Sequence, residues 1–93
     1  MKYIDWNVEK NETLKRERGI GFEDIVEAMF GDGHVRVEDH PNITKYGHQQ
    51  VIVVNIDDYV YLTPFVSDRK KWFLKTIFPS RKATRKWRRK GGV

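Results

Sequence analysis

The stretch QVIVVNIDDYVYLTPFVSDRKKWFLKTIF, residues 50–78, decides the fold. Gln50–Ile56 is a β-branched apolar run of strand length and reads as a buried strand. Asp57-Asp58 makes a two-residue turn, and Tyr59–Val66 returns as the hairpin partner. Pro64 has no N–H, so it belongs on a side without a ladder bond. Ser67–Lys71 is a second turn, and Trp72–Phe78 is the last strand. Upstream, His34–Glu38 alternates polar and apolar residues like a half-buried strand, and residues 39–47 read as a loop.

Helices flank these strands. Phe22, Ile25, Val26, Met29 and Phe30 fall at i, i+3, i+4, i+7 and i+8, one continuous apolar stripe that reads as core. Glu23 and Asp24 stand in its first turn, where the helix dipole favours acids, and residues 31–33 (Gly-Asp-Gly) stop it. Before it, Asn7 suits an N-cap, Val8–Arg18 a marginal helix with Val8 and Leu14 facing inward, and Gly19 a left-handed end. Met1–Asp5 fits a short strand or an extended lead. Beyond the strands, Ser80 caps a terminal helix. The expected architecture is α+β: two N-terminal helices, a four-stranded antiparallel sheet and a C-terminal helix. Ninety-three residues suit a single domain, residues 1–93, with a basic tail over about 85–93.

Charge is distributed unevenly. Residues 1–68 hold 7 Lys/Arg against 13 Asp/Glu, whereas residues 69–93 hold 11 Lys/Arg and no acid. An acidic body with a cationic end suits a polyanion, and nucleic acid is the first expectation. An inert solvated tail, a membrane surface and an acidic protein are the alternatives. The terminal helix concentrates this charge: Arg81, Lys82, Arg85, Lys86, Arg88, Arg89 and Lys90 are seven basic residues in ten. Ala83 and Trp87, four apart, share a face that can dock on the sheet, while Arg81, Arg85 and Arg88 project elsewhere. Guanidinium forks grip two phosphate oxygens at once and keep their charge.

The strands add candidates to the same site. With Val60 and Leu62 facing inward, Tyr59, Tyr61 and Thr63 line a face on which RNA bases could stack beside Lys75. Ordinary sheet surface is the alternative for Tyr61. The chain has no cysteine, which excludes disulfides and thiolate metal sites. His34, His40 and His48 lack the spacing of a metal motif, so no metal site is expected. Gly19-Ile20-Gly21 lacks the Lys-Ser/Thr ending of a phosphate loop. No apolar run approaches a membrane span or a signal-peptide core, and a soluble cytoplasmic protein is the expectation.

Several motifs together carry a family resemblance. Asp5-Trp6, the run Gly19-Ile20-Gly21-Phe22-Glu23-Asp24 and, most specifically, Pro79-Ser80-Arg81-Lys82-Ala83-Thr84 resemble the BrnT-type toxins of bacterial toxin–antitoxin pairs, part of the RelE-like ribonuclease superfamily. The likeness covers about residues 4–87. It implies a RelE-like fold and a translation-inhibiting endoribonuclease that cleaves RNA, on the ribosome or free, without a metal or other cofactor. It also implies neutralisation by a BrnA-like, DNA-binding antitoxin. Such chains often carry Lys-His before the glycine that ends the first helix; here that place holds Glu17-Arg18.

The resemblance carries over Arg81, suited to brace the phosphoryl oxygens, and Glu23, as base or as the residue that orients Arg18. Metal-free cleavage further calls for an acid, for which Lys82 or Lys75 is the candidate. The charge and strand readings add Arg85, Lys86, Arg88 and Arg89 with Tyr61 and Thr63 to attract RNA. The competing expectation is a module that binds nucleic acid or an antitoxin without cleaving, such as a degenerate toxin.

Overall fold

A computed structural model describes residues 3–31, 33, 35–39 and 49–89. The elements run β1 (Tyr3–Trp6), α1 (Val8–Arg18), α2 (Phe22–Phe30), β2 (Arg36–Asp39), β3 (Gln49–Ile56), β4 (Tyr59–Ser67), β5 (Lys71–Leu74), β6 (Phe78–Pro79) and α3 (Arg81–Arg89). The architecture is α+β with two N-terminal helices and one C-terminal helix, as the sequence predicts. The sheet has six strands rather than four and is mixed rather than antiparallel. Its order is β1-β5-β4-β3-β2, with β6 also on β4. The parallel pair is β1 with β5, which sets Ile4 against Trp72 and Trp6 against Leu74. The expected loop over residues 39–47 lies outside the described residues except at Asp39, which ends β2. His34, His40, His48 and Lys90 also lie outside them.

Local chemistry sets the boundaries. Asn7 Oδ1 accepts from the Lys10 N–H at 2.9 Å, and Gly19 closes α1 at φ 70°. Asp57 and Asp58 turn the β3–β4 hairpin with both φ values positive, 52° and 64°, a backbone short polar residues tolerate. The expected strand Trp72–Phe78 is broken in two. Leu74 pairs with Phe65, and Phe78 pairs with Leu62, so Thr63 and Pro64 of β4 face three residues, 75–77. That is a one-residue bulge. Pro64 accepts from the Lys75 N–H at 2.8 Å but offers no N–H on that side, which is where the ladder opens.

The sheet is covered on both faces. On one, α1 and α2 pack Leu14, Phe22 and Ile25 against Ile52, Val54, Phe65, Leu74 and Ile77. Phe65 stacks on Trp72 with centroids 4.5 Å apart, and Trp6 stacks on Phe22 at 5.6 Å. On the other, α3 lays Ala83 and Trp87 over Val51, Val53, Val60 and Leu62. Val8, expected inward, is exposed; Asn11 is buried in its stead.

Candidate nucleic-acid interface

Two side chains dock α3. Ser80 Oγ accepts from the Ala83 N–H at 3.0 Å, and the Ser80 N–H donates to the Val60 carbonyl at 2.9 Å. Thr84 Oγ1 donates to the Ser80 carbonyl at 2.7 Å and accepts from the Val60 N–H at 2.9 Å. Both backbone groups of Val60 are thus satisfied by α3, and a buried Thr84 fixes the helix by hydrogen bonds as well as by packing. This anchoring directs α3's other faces outward. Arg81, Lys82, Arg85, Lys86, Arg88 and Arg89 are all exposed. Arg88 reaches back to the β3–β4 turn, donating to the Asp58 carbonyl at 3.3 Å.

Beside α3 a groove of about 710 Å³ opens over the sheet. Val51, Val53, Val60, Leu62 and Pro64 floor it. Lys82, Lys86 and Trp87 form the α3 wall, Arg36 and Glu38 of β2 the other, and Phe78 stands at its side. Arg36 and Glu38 pair with each other at 2.9 Å. Lys82 and Lys86, one helical turn apart, have no carboxylate partner among the described residues. The groove is apolar below and positive along one side.

The remaining candidates separate. Glu23 lies in a clasp between α1 and α2. Its carboxylate accepts from Asn11 Nδ2 at 2.9 and 3.0 Å and from Lys15 Nζ at 3.0 Å. Asn11 Oδ1 in turn accepts from the Phe22 N–H at 2.7 Å. The Asn11 hydrogen bond, with lesser help from Lys15, holds the Glu23 carboxyl below the usual carboxylate range, while partial burial opposes it. Hydrogen bonding to Glu23 raises the Lys15 ammonium. A Cβ at Gly21 would stand 2.7 Å from Glu23 Oε1 and from Lys15 Cε and 2.9 Å from Asn11 Oδ1, so any larger residue there must push the clasp's side chains aside. Glu23 therefore does not orient Arg18. The Arg18 guanidinium instead donates to the Ile77 carbonyl in the bulge, four residues before Arg81. Lys75 is exposed beside that bulge, with Nζ 5.5 Å from the Phe73 ring centroid.

Tyr61 and Thr63 correct the sequence reading. Thr63 is fully buried, and Tyr61 packs against the core beneath α1 and α2. The expectation took Val60 and Leu62 as the inward set and left the alternate residues open. With helices on both sides, neither set is open in that way. The structure thus gathers Arg81, Lys82, Arg85, Lys86, Arg88 and Arg89 on α3, sets Arg18 and Lys75 at the bulge, and keeps Glu23 apart.

Arg36, Phe78 and the groove wall of Trp87 were not anticipated as site residues. The contiguous run Val51–Val54 is the signal that points to them, because unbroken apolar residues mark a strand buried on both faces. No group of three or more acidic or histidine ligands placed to hold a metal occurs among the described residues. No helix among them is long and apolar enough to cross a membrane. Comparison with known protein families, with curated proteins and with solved structures finds no match to this chain.

Proposed function

We propose that this chain is the toxin of a bacterial toxin–antitoxin pair, an endoribonuclease that cleaves RNA without a metal ion and so arrests translation. The observation that carries the reading is the cationic, firmly docked α3 beside a groove whose wall presents Lys82 and Lys86. Single-stranded RNA lies along that helix, with phosphates on the cations and bases toward the apolar floor. In the reaction the substrate's 2′-oxygen attacks the adjacent phosphorus as its proton passes to solvent water, the bond to the 5′-oxygen breaks, and the 5′-oxygen takes up a proton. Arg81, in the first turn of α3, braces two phosphoryl oxygens as charge develops, and Lys82 supplies the proton to the leaving oxygen. An antitoxin of the BrnA type covers the basic helix and suppresses the activity.

The test is single-turnover cleavage of a labelled RNA by the purified chain in excess EDTA. The expected products carry a 2′,3′-cyclic phosphate, and an oligonucleotide lacking the 2′-hydroxyl at the scissile position survives. Intact RNA under these conditions overturns the enzymatic reading. A second reading, RNA or antitoxin binding without cleavage, draws on Arg18 and Glu23, whose side chains are already engaged by protein groups. Binding without cleavage identifies that case.

A further inference from the structure

Beside the groove, which half-buried Trp87 also lines, Phe78 is an exposed aromatic ring. It pairs with Leu62 across the ladder, so it stands on the α3 side of the sheet, and it is 37% exposed. Phe73, another aromatic on this side, already carries two cations: Lys71 and Lys75 hold their ammoniums 5.7 and 5.5 Å from its ring centroid. Phe78 has no stacked ring or cation among the described residues. Its neighbours along the groove are Ser80 and Lys82, and Lys86 follows one turn on.

A ring with an uncovered face, an apolar floor and unpaired ammoniums along one edge together suit a flat group tied to negative charge. An apolar peptide would satisfy the floor and leave the ammoniums unmatched. A free phosphate would satisfy the ammoniums and leave the ring and floor in water. A nucleotide within a single strand satisfies all three, because every base has a π-face and every linkage a charge.

We propose that Phe78 is the stacking platform for an unpaired RNA base whose flanking phosphates lie against Lys82 and Lys86. This deepens the nucleic-acid reading above and rests on it. It assigns to Phe78 the aromatic role that strand alternation suggested for Tyr61. The bulge makes this possible: continuous alternation from Leu74 would place Phe78 with the core, and the extra residue sends it to the groove instead.

The experiment measures fluorescence anisotropy of the full chain with two labelled 2′-O-methyl RNA strands of equal length, one bearing bases and one abasic. Neither strand offers a 2′-hydroxyl nucleophile. The wild type should prefer the base-bearing strand by about tenfold or more, the scale of one stacked base. Phe78→Leu should lose most of that preference with abasic binding unchanged, and Phe78→Trp should keep it. Thermal melts confirm that both variants are folded. A Phe78→Leu protein that keeps the full preference overturns the proposal while the RNA reading stands. Equal weakening toward both strands makes Phe78 structural and also overturns it. A wild type that binds neither strand removes both readings.

Discussion

Beneath α1 and α2, Phe22, Ile25, Ile52, Val54, Phe65, Leu74 and Ile77 form one apolar cluster. Across the same strands, α3 rests only Ala83 and Trp87 on three valines and Leu62. Each covering shows in its sequence. The α2 stripe is wide and its charges are acidic, whereas α3 has a narrow apolar seam flanked by cations. The wide stripe closes its face; the narrow seam leaves a groove. If the proposed RNA site is right, stability and function fall on opposite sides of one sheet, and substitutions should sort the same way.

The largest effect should come from the closed face. Phe65→Ala removes a fully buried ring stacked on Trp72 and should cost about 3–5 kcal/mol in urea unfolding. A loss below about 1 kcal/mol would break the division of labour. Next, Arg81→Ala should slow RNA cleavage by about 10²-fold, the scale of losing one preorganised electrostatic donor. Its melting temperature should barely change because the side chain is exposed. Arg81→Lys should recover part of the rate, since the charge returns without the planar fork. Full activity in a folded Arg81→Ala protein would remove it from the chemistry.

Thr84→Val tests the joint between the faces. It strips the Val60 N–H of its acceptor and should cost about 1–3 kcal/mol in chemical denaturation, the penalty for an unsatisfied buried donor. RNA affinity should fall as well, because α3 loses its anchor; unchanged affinity would show that packing alone positions the helix. The smallest effect belongs to Glu23. Its carboxyl is depressed in the folded chain, so its contribution is present above the unfolded carboxylate value and is lost as pH falls through the lower folded value. Glu23→Gln should flatten that acid limb of the melting-temperature profile. An identical limb in the variant would assign the acid sensitivity to other carboxylates.

Much of this division was legible. The i, i+3, i+4 stripe of α2 from Phe22 to Met29, the Asn7 and Ser80 caps and the Gly19 stop report short-range chemistry, and the structure holds them; Phe30, expected in the core, is instead 61% exposed at the helix end. Ala83 and Trp87 docking on the sheet was legible for the same reason. The layer count was not, because Tyr59–Val66 alternates two sets that are both largely apolar, and alternation does not say which set a helix covers. Nor was the parallel pairing of β1: four residues at the chain start carry no mark of a partner some 68 positions away, as Tyr3 with Lys71 shows. The α3 cations were found by composition, whereas Phe78 was missed because the bulge altered the count.

Side-chain facing along a strand repeats every two residues, so losing one residue from an ordinary ladder inverts every side chain beyond it. Residues 75–77 are the exception. Three residues there span the space of two, and dropping Thr76 would restore a regular ladder while leaving Ile77 inward and Phe78 toward the groove. The same loss within β3 or β4 would exchange the two faces of the sheet. The bulge is thus a place where the chain can change length by one without changing sides.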